Sequence, residues 1–118
     1  MATITGIGAV VLAANDADAL AAWYAAKLGL VLSRSEQGFH FGTVGGVEFG
    51  IVPARSALSS SNRAITVNYR VDDFEAFVKQ LNDAGVVLDD RSESPEGKFA
   101  HVRDPEHNRI EIWSGYPA

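Results

Sequence analysis

Glu111 and Trp113 stand two residues apart at the end of Asp-Pro-Glu-His-Asn-Arg-Ile-Glu-Ile-Trp, residues 104–113. A carboxylate accepts hydrogen bonds or pairs with a cation, and an indole stacks on planar groups. Asp104-Pro105 predicts a turn, because proline fixes φ and an Asx side chain caps a bend. His107-Asn108 supplies residue types that tolerate a left-handed backbone. Arg109 to Trp113 then alternate as a half-buried strand does, with Ile110 and Ile112 on one face and Arg109, Glu111 and Trp113 on the other. The segment fits a pocket wall and equally an ordinary solvent-facing strand. Three histidines are the other titrating candidates, and His40, His101 and His107 follow no i, i+4 ligand pattern. His101 is chemically able to act as a general acid or base, or to serve as a hydrogen-bonded structural residue. His40 and His107 are expected at the surface and in a turn.

The 118 residues suffice for one domain with a hydrophobic core. With no cysteine, disulfides, thiolate metal sites and cysteine nucleophiles are excluded. A formal charge of −5 argues against a nucleic-acid or anionic-membrane partner, both of which need concentrated positive charge, and mildly favours cationic small molecules. No run approaches the roughly 18 apolar residues of a membrane span. Residues 1–6 lack the basic and apolar regions of a signal peptide, so cytoplasmic residence is the expectation.

The elements that must position these groups occur in two similar copies. In the first, residues 7–13 predict a strand, Asn15 or Asp16 a helix cap, and residues 17–28 a helix with Leu20, Trp23, Tyr24 and Leu28 at helical spacing. Gly29 suits the left-handed position past the helix end. Strands fit 30–35, 38–44 and 47–53. In the second copy, 64–71 predict a strand, and Asp72 with Glu75 has capping-box spacing. Phe74, Phe77, Val78 and Leu81 form a stripe facing a sheet, and Gly85 ends the helix. Strands fit 86–91, 98–103 and 108–113, with turns at Ser92 to Gly97 and Asp104 to His107. Strand, helix and three strands, twice over, is an internally duplicated α+β domain.

Three segments carry a family resemblance: Asn15-Asp16 with Trp23-Tyr24 and Leu28-Gly29-Leu30; Val71-Asp72-Asp73 with Ala84-Gly85-Val86; and 104–113. The chain resembles the vicinal oxygen chelate superfamily, the glyoxalase, bleomycin-resistance and extradiol dioxygenase group. The last segment is similar to that family's Asp-Pro-x-Gly-Asn-x-x-Glu-Leu ending, with His107 where glycine is usual. The resemblance implies a single domain over 1–118 of two tandem βαβββ modules, about 4–53 and 64–114 with a linker at 54–63. It implies curled mixed sheets around a cleft, helices on the outer face, and a homodimer.

In metal-dependent members four ligands come from four strands. The matching positions here are Ala9, Gly50, Thr66 and Glu111, with Glu48 near the second. A divalent ion needs several His or carboxylate donors converging at about 2.0–2.2 Å. Alanine and glycine offer none and a neutral threonine is weak, so no metal and no cofactor is expected. A neighbouring register does not help, because Gly8, Val10, Ile65 and Val67 are also non-ligands.

Period-two geometry from Ala9 puts Val11 and Ala13 on the cleft side, with Glu48, Gly50 and Val52, with Thr66, Asn68 and Arg70, and with Arg109, Glu111 and Trp113. Small residues leave volume, and a few polar groups converge on apolar walls, the usual make-up of a small-molecule site. The candidate ligand-binding residues are Glu111, Trp113, Asn68, Arg70, Thr66, Glu48 and His101, and no catalytic residue is assigned. Glu111 is alternatively an ion-pair partner of Arg70 or Arg109, and Trp113 alternatively packs at a subunit interface. Two functions follow: a metal-independent protein that sequesters a drug or metabolite, as in antibiotic resistance, or a glyoxalase-like lyase, isomerase or dioxygenase-related enzyme with a reduced or atypical metal site.

Overall fold

A computed structural model describes residues 7, 9–54 and 66–116, which separate into two compact units, Met1–Ser61 and Asn62–Ala118. Most of the expected linker, together with residues 4–6, 64 and 65 of the expected modules, lies outside the described residues. Both units are built in the same order. The first has β1 (Ala9–Ala14), α1 (Ala17–Leu28), β2 (Ser33–Arg34), β3 (His40–Val44) and β4 (Val47–Pro53). The second has β5 (Val67–Arg70), α2 (Phe74–Asp83), β6 (Asp90–Ser94), β7 (Gly97–Arg103) and β8 (Arg109–Ser114).

Each unit closes one four-stranded mixed sheet, ordered β1-β4-β3-β2 in the first and β5-β8-β7-β6 in the second. The first strand of each lies parallel to the last, and the remaining pairs are antiparallel. A helical crossover is what lets a chain return parallel to a strand it has just left. The fold is therefore α+β with tandem βαβββ units.

Local chemistry explains the element ends. Asp16 caps α1, its carboxylate accepting the Ala19 amide at 3.0 Å, and Gly29 follows at φ 75. The cap of α2 is Asp73, not Asp72: its extended backbone (φ −137) aims the carboxylate at the Ala76 amide, 3.1 Å away. Glu75 then serves no capping box and turns to Arg91 and Lys98 instead. Strand β6 begins four residues later than expected. Gly85 at φ 80 lets the Val86 amide bond back to the Leu81 carbonyl, so the chain is still unwinding from the helix. It also runs through Ser94, which leaves only Pro95 and Glu96 for the turn.

The two cores lie where helix meets sheet. Leu20 and Tyr24 are buried with Phe49 and Ile51 in the first unit, and the Tyr24 and Phe49 rings lie 5.4 Å apart. In the second, Phe74 and Leu81 are buried with Ala100, Val102, Ile110 and Ile112. Each large apolar side chain so enclosed contributes about 1.5–3 kcal/mol over leaving it exposed. His40 belongs to this inner side: it is buried, not at the surface, and its Nε2 lies 2.7 Å from Asp18 Oδ1 on α1. Its strand register explains this, for His40 pairs with buried Ile51.

Candidate functional site

The second sheet turns Ile110, Ile112, Ala100 and Val102 toward its core, so alternation sends their neighbours to the opposite face. Strand register then aligns side chains from four strands in one row. Asn68 on β5 stands opposite Glu111 on β8, Glu111 opposite His101 on β7, and His101 opposite Asp90 on β6. Every neighbouring pair is bonded. Asn68 Nδ2 donates to Glu111 Oε1 at 2.7 Å, His101 Nε2 meets Glu111 Oε2 at 2.7 Å, and His101 Nδ1 meets Asp90 Oδ1 at 2.6 Å.

Burial pulls the His101 pKa down, but the bonds to Asp90 and Glu111 outweigh it and hold the imidazole above its ordinary value. The Asn68 amide, with help from His101, holds the Glu111 carboxyl below the usual range. Both shifts favour the charged form, the imidazolium of His101 and the carboxylate of Glu111. A carboxylate stabilised in this way is a good acceptor and a weakened base.

The next row pairs Arg70, Trp113, Phe99 and Ser92 in register. The Phe99 and Trp113 rings stack at 6.5 Å and 28°, and the indole Nε1 donates to the Glu96 carbonyl at 3.1 Å. Trp113 is thereby fixed at both its edge and its face. The turn that delivers β8 is equally well held: the buried Asp104 carboxylate accepts from the Glu106 and Asn108 amides, both at 2.9 Å, and from Asn108 Nδ2 at 2.7 Å. His107, where φ is 66, takes the left-handed position.

The structure brings Asn68, Glu111 and His101 together, and places Arg70 and Trp113 one row away. Thr66 is exposed just ahead of β5. Glu48 is exposed in the other sheet, with Ala9 and Thr43 as register neighbours. Neither Arg70 nor Arg109 pairs with Glu111; Arg109 instead approaches Asp90 at 3.9 Å. Asp90 and Phe99 escaped the sequence reading. Asp90 lay inside the expected strand 86–91, but its role and that of Phe99 follow only from strand pairing, which sets Asp90 opposite His101 and Phe99 opposite Trp113.

The glyoxalase/bleomycin resistance protein/dioxygenase superfamily model matches residues 6–112. The chain belongs to this superfamily. Among solved structures it is similar to lactoylglutathione lyase from Agrobacterium tumefaciens, with TM-score 0.80, 18% identity, and 96% of each chain covered. It is similar too to TnmS3, an antibiotic binding protein from Streptomyces sp. CB03234, with TM-score 0.79 and 19% identity over 98% of this chain and 100% of that one. The fosfomycin resistance protein FosX from Mesorhizobium loti gives TM-score 0.72 and 14% identity over 97% and 95%. At these identities the likeness is one of fold. No curated protein matches the chain in sequence.

Of the four positions matched to the superfamily's metal ligands, Ala9, Gly50, Thr66 and Glu111, only Glu111 carries a carboxylate or imidazole donor. Ala9 carries no donor. At Gly50 a Cβ would stand 2.3 Å from the Phe41 ring, so an aromatic side chain already covers the space a ligand would enter. Glu111 has both oxygens engaged and His101 both ring nitrogens. Among the described residues no three His, Asp or Glu side chains converge as a cation site would require.

Proposed function

We propose that this superfamily member is a metal-independent small-molecule binding protein that sequesters a drug or metabolite. The observation that carries the reading is the Asn68–Glu111–His101–Asp90 row beside the Phe99–Trp113 pair. It offers a fixed anionic acceptor beside an immobilised aromatic surface. That combination suits a planar ligand with a cationic or hydrogen-bond-donating group, and the net charge of −5 adds long-range attraction for a cation. Arg70 borders the surface, and Thr66 and Glu48 complete the candidate set. The resemblance supports a homodimer, to be read from light scattering. Cytoplasmic residence remains part of the proposal, and no described helix is long and apolar enough to cross a membrane.

Calorimetry with bleomycin and a panel of planar aromatic cations, paired with tryptophan fluorescence in a Trp23→Phe background, tests the reading. Saturable binding that quenches Trp113 and weakens about tenfold or more in Glu111→Gln is the expected result, the loss of one charge-assisted contact. Absence of binding across the panel overturns it.

A second reading, a lyase, isomerase or dioxygenase-related enzyme with a reduced metal site, draws on the bond between His101 and Glu111. Its difficulty is chemical. An ion at Glu111 would share its carboxylate with Asn68 and His101 and find no matching donor at Ala9 or Gly50, and a proton-abstracting Glu111 would act with a lowered pKa. Elemental analysis of protein purified without chelators separates the two: stoichiometric nickel, zinc, manganese or iron revives the enzyme.

A further inference from the structure

A pocket of about 460 Å³ opens at the end of β5, lined by Arg70, Val71, Asp72 and Phe77. Arg70 is unusual among the basic residues of this chain. The other described arginines and lysines all have partners: Arg34 with Asp18, Arg91 and Lys98 with Glu75, Arg103 with Asp89, Arg109 with Asp90, and Lys79 with Asp83. Lys27 is also engaged. Arg70 alone among them makes no hydrogen bond or ion pair with a described residue, and Asp72, two residues on, makes none either. They do not pair with each other. The lining of this pocket thus includes an exposed arginine and an exposed aspartate, neither with a partner among the described residues, together with Val71 and half-buried Phe77.

We infer that this pocket binds a small zwitterion, a free α-amino acid with an apolar side chain. A guanidinium receives a carboxylate through two parallel N–H···O bonds, and an aspartate accepts from an ammonium group. An anion alone meets repulsion from Asp72, and a cation alone meets it from Arg70. Only a ligand carrying both charges satisfies both walls, while its side chain covers Val71 and Phe77. The inference does not depend on the Glu111 row; Arg70 borders both surfaces, so Asp72→Asn and Glu111→Gln are the variants that tell the two sites apart.

Calorimetry with L-phenylalanine, 3-phenylpropionate and phenethylamine tests this: the three share one skeleton and differ in which charges they carry. Phenylalanine is expected to bind about tenfold or more tightly than either singly charged analogue, the loss of one charge-assisted contact in each. Arg70→Gln and Asp72→Asn should each remove a comparable factor, Arg70→Lys a smaller one because it keeps charge without the fork. Because both side chains are exposed and unpartnered, thermal melts of the variants should match the wild type, which separates binding loss from unfolding. Glu111→Gln should leave phenylalanine binding unchanged. No saturable binding of phenylalanine, equal binding of 3-phenylpropionate, or full affinity in either charge-removing variant overturns the inference. If planar cations still bind the folded protein, the function proposed above stands without it.

Discussion

The two sheets share a topology and differ in what they place on the face away from their helix. On the first sheet that face carries Ala9, Val11 and Ala13 on β1, Gly50 and Val52 on β4, and the Phe41 ring laid across Gly50. On the second, the same strand order carries Asn68, Glu111, His101 and Asp90 in an unbroken hydrogen-bonded row. Duplicating a βαβββ unit fixes where side chains point and leaves their chemistry free. Here one copy keeps a largely apolar face with Glu48 exposed on it, and the other carries the bonded polar row, although the backbone offers equivalent positions in both.

The inner sides break the comparison most strongly. Ile51 and Ile112 are fully buried counterparts, each on the strand that pairs parallel to its unit's first. Ile51→Ala and Ile112→Ala should each cost about 2–5 kcal/mol in urea denaturation, since both leave a cavity the surroundings only partly fill. A cost confined to one of them would show that the units do not share an equivalent core.

Next in size is Gly50→Ala. Its new Cβ meets the Phe41 ring at 2.3 Å, and the site is buried, so overpacking should cost about 1–3 kcal/mol. Phe41→Ala in the same chain should recover much of that by vacating the space.

Much of this was legible beforehand. Asp16, Gly29 and Asp104 announce their caps and turns through local chemistry, and alternation correctly placed Asn68, Glu111 and Trp113 on one face. What escaped depends on register between strands, which a single segment does not encode. Lys98 to Arg103 carries polar residues at both parities, so the facing of His101 followed only from its pairing with Glu111 and Asp90. His40 looked like a surface residue until pairing with Ile51 set it against α1. The helix cap at Asp73 shows the same limit at short range, because two adjacent aspartates fit the pattern and backbone geometry chose between them.

Removing the central carboxylate sharpens the contrast by a smaller amount. Glu111→Leu strands the Asn68 amide and one nitrogen of half-buried His101, which should cost about 1–3 kcal/mol. The expected counterpart, Glu48→Leu, should be close to neutral, because Glu48 is exposed and bonds to nothing described.

The smallest effect is the pH profile of that same row, and its sign follows from the two shifts. The His101 pKa is raised above 6.5, so its contribution is complete below that value and fades as pH rises through the folded-state pKa. The Glu111 pKa is lowered below 4.5, so its contribution is present above that value and fades as pH falls through its own folded pKa. Both contributions coexist between about pH 4.5 and 6.5. The stability difference between wild type and His101→Asn, followed by urea midpoints across pH, should therefore peak in that interval and decline on both sides. A flat difference curve would mean that His101 carries no charge in the folded protein. A neutral imidazole has a single N–H and could donate to only one of Asp90 and Glu111, so the row would be broken at one of its two carboxylates.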